Sequence, residues 1–399
     1  MTPRVLLFLI ADTGGGHRAS ATAIAGELTA AHPGEFEIHI VDPFAALAPP
    51  LLGRATSLYG PMTQHARWLW GGLYHATDSR AAIALLSRSA LRLVRPGITR
   101  LVDRLAPAAV VSFHPLLNHV GAAAVRASRS PRTPVVTVVT DLVDVHAGWA
   151  CRDVDAIVTP SPGGFERCRR AGIPASRCFQ LGLPVDRSFR VAPPTSSQRA
   201  ALRRRLGLAP EGFTVLVCGG ADGSGGIARS ARAIAAAGQL DVNVTVICGR
   251  NQRALDRLAG LTDAHGRPVL VHGFLDNMAA WIRAADVVVT KAGPGTISEA
   301  LCCGVPLLLS WYLPGQERGN VEWVVDIGAG RFVPRRSQLV DAVAELSAPG
   351  SASLAAMRAA VRRAARPRAT ADIGDLISRI ATGAATAGGR SDDGRVVAV

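Results

Sequence analysis

Lysine is almost missing from this 399-residue chain: of 44 Lys and Arg residues only one, Lys291, is lysine. Aromatic residues make up 5%, too few to interleave with the basic ones as a nucleic-acid module requires. The seven cysteines (Cys151, Cys168, Cys178, Cys218, Cys248, Cys302, Cys303) show no C-x-x-C spacing and an odd count. That excludes a zinc ribbon or a disulfide framework and fits the reduced thiols of a cytosolic protein. No apolar run reaches the roughly 18 residues of a membrane span. The opening Val5–Ile10 run is too short for a signal-peptide core, and no cleavage pattern follows it. Neither glycine-rich turn near a chain half's start spells G-x-G-x-x-G, which argues against a nicotinamide enzyme on an otherwise compatible pattern.

What is present is an α/β protein long enough for two domains, with 48% hydrophobic residues, 41 glycines and a formal net charge of +14. Such a charge suits an anionic membrane face or an acidic substrate. The most informative stretch is Thr290–Leu301. The β-branched run Val287–Thr290 reads as a buried strand, Gly293-Pro294-Gly295 turns the backbone, and Thr296 opens a helix. Strand, glycine turn and helix N-terminus form an anion site, because unpaired N–H groups and the helix dipole face the turn. A lone lysine could fall anywhere by chance, but Lys291 stands at the lip of this turn, where a phosphate or carboxylate would meet it. After a second strand, Gly304–Leu309, the loop Tyr312–Asn320 carries Gln316, Glu317 and Asn320, groups able to hydrogen-bond sugar hydroxyls. Glu299 is placed to accept from a ribose diol.

The Thr290–Gly330 run resembles the nucleotide-sugar half of the monogalactosyldiacylglycerol synthase family, relatives of the peptidoglycan-precursor transferase of the MurG type (glycosyltransferase family 28). The resemblance extends over roughly residues 4–380. Near the start, Gly14-Gly15-Gly16-His17-Arg18-Ala19-Ser20-Ala21 follows the first strand and matches the family's N-terminal signature. On its own, a glycine-rich strand–helix turn is a weak signal, and a histidine at the helix mouth could simply fill space. Further on, His114 follows the strand Val110–Phe113. Asp141–His146 follows the strand Pro134–Thr140, with Asp144, His146 and Trp149 in the family's order. The family usually has proline before this tryptophan; here Gly148 takes its place, a departure that falls on the acceptor loop. The Asp–His spacing offers no third metal ligand.

Between Ala45 and Ala106 the chain reads as helical and basic, with eight arginines (Arg54, Arg67, Arg80, Arg88, Arg92, Arg95, Arg100, Arg104) against Asp78 and Asp103. Trp68, Trp70 and Tyr74 suit the headgroup level of a bilayer, so this stretch is expected to lie on a membrane; an ordinary core helix with a solvated basic face is the plainer alternative. A second glycine-rich turn, Gly219–Gly226, opens the second half, and Val271–Phe274 resembles the place where the wider superfamily reads the uracil ring.

The resemblance implies a GT-B fold, two Rossmann-like domains facing each other across a cleft. The expected division is an acceptor domain over 1–190, a nucleotide-sugar domain over 200–345, C-terminal helices over 346–382 and a disordered tail over 383–399. It implies an inverting transfer of a hexose from a UDP-sugar to a lipid hydroxyl, diacylglycerol-like, without a metal cofactor. A polyprenyl-linked or natural-product acceptor and a non-catalytic nucleotide-sugar-binding module are the alternatives. The donor would lie on Gly219, Gly220, Phe274, Lys291, Gly293, Gly295, Thr296, Glu299, Gln316, Glu317 and Asn320. The acceptor and membrane side would use Gly15, Gly16, Trp68, Trp70, His114, His146 and Trp149, and His17 or Asp141 would take the proton. The expected location is the cytoplasm, at the inner face of the cell membrane.

Overall fold

The computed structural model describes residues 2–12, 15–47 and 67–383. Thr13, Gly14, Arg54 and the tail after Gly383 lie outside the described residues, as do the side chains of Arg67, Trp68 and Arg88.

The first half is a six-stranded parallel sheet built from β1 (Arg4–Leu9), β2 (Phe36–Val41), β3 (Ala109–Ser112), β4 (Val135–Val138), β5 (Ala156–Thr159) and β6 (Cys178–Gln180). Its spatial order is β2-β1-β3-β4-β5-β6. The second half is another six-stranded parallel sheet, β7 (Phe213–Cys218), β8 (Val242–Ile247), β9 (Leu270–His272), β10 (Val287–Lys291), β11 (Leu307–Trp311) and β12 (Gly330–Phe332). Here the order is β12-β11-β10-β7-β8-β9. Parallel strands are covered on both faces, which is why they read as unbroken apolar runs. In β1, Leu7 and Leu9 enter one core while Leu6 and Phe8 enter the other; in β7, Val215 and Val217 face away from Leu216 and Cys218.

Each sheet reverses its strand order once, between β1 and β3 in the first and between β7 and β10 in the second. Ligands of open α/β sheets bind in the crevice outside the carboxyl ends of strands at such a reversal. The glycine turns after β1 and β7, and the Lys291–Gly293 turn after β10, all stand at these two places.

Three boundaries differ from the sequence reading. The helix after β10 begins at Pro294 and not at Thr296, because proline suits the first helical position, where its missing N–H has no partner to lose. The Pro- and Ser-rich run Ala192–Ser197 reads as a linker, yet Ser196 and Ser197 belong to the helix Ser196–Arg205, whose start is fixed by a capping box between Thr195 and Gln198. Ser353–Ala381 reads as one helix among the C-terminal helices, but it is two, Ala352–Ala364 and Ala369–Thr382, broken around Pro367. The break turns the chain back onto the first half. Ile373, Leu376 and Ile377 pack there with Leu6, Phe8 and Val111. The Thr370 hydroxyl donates to the Val185 carbonyl at 2.8 Å and accepts from its N–H at 3.0 Å, fixing this crossing to the end of the first half.

Candidate active site

The helix Gly16–Ala31 starts immediately behind the β1 turn, with Gly15 as N-cap at φ 77°, a left-handed conformation that glycine adopts without strain. His17 is thereby held at the helix mouth, over the strand-order reversal. Its Nδ1 is 2.9 Å from the Thr140 hydroxyl, its ring lies edge-on to His114 at 5.0 Å, and Trp149 stands behind at 6.2 Å. Burial pushes the imidazole down to about 4, against the opposing pull of the Phe113 carbonyl and of Asp12. The ring is therefore neutral near pH 7. In the tautomer whose Nδ1–H donates to Thr140, Nε2 keeps the lone pair a base needs. His114 is neutral as well, its ionisation lowered by burial and by the adjacent His17; its Nδ1 caps the helix Pro115–Arg126 by accepting from the Leu116 N–H at 3.3 Å.

Asp141 is buried, and its carboxylate accepts from the indole N–H of Trp149 at 2.7 Å and from Gln316 Nε2 at 3.1 Å. Burial raises its ionisation above the ordinary carboxylate range. Trp149, expected on the acceptor side, is fully buried and serves to hold Asp141. His146 is also buried. Its Nδ1 accepts from the Gly148 N–H at 3.1 Å, its Nε2 meets the Thr77 hydroxyl at 3.3 Å, and Tyr74 packs edge-on at 4.8 Å. The Gly148 N–H is thus in use, and a Cβ there would approach His146 and Pro115 to 3.1 Å, so the proline usual in the family has neither donor nor room here. Trp70 is partly buried, 6.4 Å from the ring of Tyr74, while the side chain of Trp68 lies outside the described residues.

On the second half, the Gly219–Gly226 turn is compressed until only glycine fits at two positions. A Cβ on Gly219 would fall 2.0 Å from the Ser224 carbonyl oxygen, and one on Gly223 would fall 1.8 Å from that of Cys248. The turn abuts the second anion-binding turn: a Cβ on Gly225 would lie 2.9 Å from Lys291 Cβ, and one on Gly220 would lie 3.9 Å from Thr296 Oγ1. The helix Pro294–Cys302 has Gly293 as N-cap and no side-chain cap, and its first intrahelical donor is Ile297. The N–H groups of Gly295 and Thr296 therefore precede the ladder and point at whatever occupies the turn.

Lys291 does meet a carboxylate, but one within the protein: its ammonium pairs with buried Glu317, whose other oxygen accepts from the Leu313 N–H at 2.8 Å. Asn320 donates to the Ala292 carbonyl at 2.9 Å. The amide oxygens of Gln316 and Asn320 are buried without a partner among the described residues. Glu299 is partly buried on the helix after Gly293, and loss of solvent, aided by Asp186, pushes its carboxyl up to about 7. At the far end, Phe274 is 50% exposed, with the Arg250 guanidinium 4.7 Å above its ring. Arg250 was not singled out in the sequence. Nor were Thr140 and the contacts of Asp144, since each acquires its place only through a partner distant in the chain.

The two halves meet at this site. A Cβ on Gly15 would lie 3.7 Å from the Cβ of Ala221, in the middle of the second turn. A neutral histidine beside an anion cradle, with sugar-sized polar groups between them, is suited to group transfer from a nucleotide-activated sugar. Residues 17–185 match the family model for monogalactosyldiacylglycerol (MGDG) synthase, and residues 214–372 match the glycosyltransferase family 28 C-terminal domain. Monogalactosyldiacylglycerol synthase 1 of Arabidopsis thaliana is 34% identical over 92% of this chain and 69% of its own length. The chain belongs to the monogalactosyldiacylglycerol synthase family. It is a glycosyltransferase that uses a UDP-sugar. Among solved structures, MurG of Acinetobacter baumannii superposes with a TM-score of 0.61 at 18% identity, covering 94% of this chain and all (100%) of that one. The Anabaena protein HepE, in complex with UDP and glucose, gives 0.55 at 14%, over 94% and 99%. The fold is GT-B.

These relatives overturn one expectation. The synthase of Arabidopsis carries the name chloroplastic, as do those of tobacco and spinach, so these relatives belong to an organelle and not to the cytoplasmic face of a cell membrane. Among the described residues no helix is long and apolar enough to cross a membrane.

Proposed function

We propose that this family member transfers a hexose from its UDP-sugar to the free hydroxyl of diacylglycerol, inverting the anomeric centre, at a lipid surface. The uracil lies at the β9 end, against Phe274 and Arg250. Glu299 accepts from the ribose diol, and the diphosphate rests on the N–H groups of Gly219, Gly220, Gly295 and Thr296. Gln316 and Asn320 turn their unpartnered amide oxygens to the hexose hydroxyls. A buried acceptor left unsatisfied costs about 1–3 kcal/mol, and the sugar removes that cost on binding. The acceptor hydroxyl enters between His17 and the anomeric carbon.

In the step itself, the hydroxyl oxygen bonds to the anomeric carbon as the bond from that carbon to the diphosphate oxygen breaks. His17 takes the hydroxyl proton, and the diphosphate leaves with the electron pair as UDP. Charge grows on the departing diphosphate, and fixed N–H groups with the Lys291–Glu317 pair supply the electrostatic stabilisation, without a metal. A ring poised near 4 is a weak base in the free enzyme. The diphosphate anion brought opposite it raises its basicity only when donor is bound, which ties proton abstraction to a loaded site.

The observation that supports this reading best is the approach of Gly15 to Ala221, which sets the His17 turn against the nucleotide turn. The test is transfer of labelled UDP-galactose, UDP-glucose and UDP-N-acetylglucosamine to diacylglycerol vesicles, with and without EDTA. One donor is expected to deliver label into the lipid as the β-anomer, with EDTA leaving the rate unchanged. Label released only to water, or transfer abolished by the chelator and restored by a divalent ion, would overturn it.

A further inference from the structure

The helix Arg318–Asp326 begins without a cap from its own neighbourhood. Glu317 is its N-cap residue, but that carboxylate is spent on Lys291 and on the Leu313 N–H. First-turn N–H groups of a helix need acceptors from outside it. Gly319 finds one on the other half of the molecule: its N–H donates to Asp144 Oδ2 at 2.7 Å, across 175 residues of sequence. A carboxylate at this end also faces the positive pole of the helix.

The fit leaves no slack. A Cβ on Gly319 would fall 2.5 Å from Asp144 Oδ1 and 2.8 Å from its Cγ, so the carboxylate reaches the amide only because residue 319 has no side chain. Asp144 is itself fixed, its carbonyl accepting from the Tyr74 hydroxyl at 2.9 Å. Gly315 rests on the Tyr74 ring, and Gln316 donates to Asp141, so the 315–319 segment touches the 141–144 segment along its length. A cavity of about 300 Å³ opens beside this seam, walled by Tyr74, Asp144 and Arg167 from one half and by Gly315 and Arg318 from the other.

We propose that Asp144 is a positioning residue for the transfer reaction. By capping the Arg318–Asp326 helix from across the cleft, it sets the loop carrying Gln316, Glu317 and Asn320 in register with the acceptor half. This rests on the reading that the loop holds the hexose. The nucleotide sits on other turns of the second half, so the cap governs the sugar and leaves the nucleotide alone. Asp144 takes no proton from the acceptor: its carboxylate is engaged by a backbone amide.

The test combines kinetics with amide hydrogen exchange on the full chain. Asp144→Ala is expected to lower kcat/KM for the UDP-hexose about tenfold, the scale of losing one charged helix cap, while the Kd for UDP stays within about twofold of wild type. The Gly319 amide should exchange faster in this variant. Asp144→Asn keeps an acceptor oxygen in place and should recover most of the loss. Gly319→Ala pushes a methyl group into an intact carboxylate and should reproduce Asp144→Ala; the double variant should be no worse than either single one. Wild-type kinetics and exchange in Asp144→Ala would overturn the proposal. So would an Asp144→Asn variant as impaired as the alanine one, since the charge and not the cap would then matter. If wild type moves no hexose to lipid from any donor, the transfer reading fails. Amide exchange at position 319 still reports on the clasp by itself, and an additive acceleration of that exchange in the double variant would overturn it.

Discussion

His17 combines three properties that a proton acceptor in a closing cleft requires: a fixed ring, a neutral charge and a position at the meeting of two turns. His17→Ala should lower transfer by about 10²–10⁴ while the affinity for UDP-hexose, measured by calorimetry, is unchanged, because the donor rests on the other half. Loss of donor binding in parallel with activity would make His17 a donor contact. Glu299 makes a second residue-level prediction through its raised ionisation. The folded protein keeps that proton up to about pH 7, whereas the unfolded chain releases it near the ordinary 4.5, so the folded state binds more protons in between. The contribution of Glu299 to stability therefore declines as pH rises from 4.5 to 7. A ribose diol donating to the carboxylate favours the ionised form, so UDP-hexose affinity should rise with pH through about 7. The diphosphate diester of the ligand does not titrate in that range. Calorimetry at pH 6 and pH 8 should show the rise in wild type and a flat response in Glu299→Gln; a flat wild type would remove Glu299 from the ribose.

At the scale of elements, the Lys291–Glu317 pair joins the end of β10 to the loop before the Arg318–Asp326 helix, and both partners are largely shielded from water. Removing one leaves the other charge buried and alone, at a cost on the order of 3–5 kcal/mol. Lys291→Met should therefore lower the melting temperature as well as turnover. Adding Glu317→Gln should restore much of the stability while transfer stays about 10²–10³ below wild type. Recovery of activity together with stability would make the pair purely structural. Elements of this kind mark the limit of what one sequence conveys. Ten of the twelve strands, the three glycine turns and the loaded ends of β1, β3, β4, β7 and β10 could be read locally, because apolar runs and glycine positions act over a few residues; the short edge strands Cys178–Gln180 and Gly330–Phe332 carry too brief a pattern to be read. Lys291 was expected to meet an anion, and it does, but its partner Glu317 had been assigned to the sugar. Trp149 looked like an acceptor contact from its place in a motif. Its indole is spent on Asp141 inside the core, which only the three-dimensional packing reveals. The C-terminal helices over 346–382 were expected only to follow the second half, and the last of them completes the core of the first, since Pro367 ends one helix without saying where the next will dock.

For the molecule as a whole, a net charge of +14 leaves open where the charge is used. The apolar residues that water touches suggest a surface to test. Leu69 and Leu73, one turn apart on the helix Arg67–Thr77, are 47% and 46% exposed; Leu85 on the helix Arg80–Arg88 is 69% exposed and Leu93, just beyond it, 57%. Four of the seven large exposed apolar side chains among the described residues thus fall within 25 positions. Around them Arg80, Arg92, Arg95, Arg100 and Arg104 are exposed and form no ion pair among the described residues. Exposed leucines among exposed arginines would suit a bilayer of anionic lipid, and such a contact would add these leucines to the tryptophans expected for it from the sequence. The two kinds of residue leave separable signatures. Wild type should sediment with anionic vesicles at low salt and be released as salt screens the arginines. Replacing Arg92, Arg95 and Arg100 by glutamine should abolish the preference for anionic over neutral vesicles. Replacing Leu69, Leu73, Leu85 and Leu93 by serine should weaken binding at every salt concentration and leave the salt dependence intact. Transfer to soluble short-chain diacylglycerol should survive both sets of changes, because all of these side chains are exposed and none was assigned to donor or base. Equal binding of wild type to neutral and anionic vesicles would show that charge does not bring this surface to the lipid.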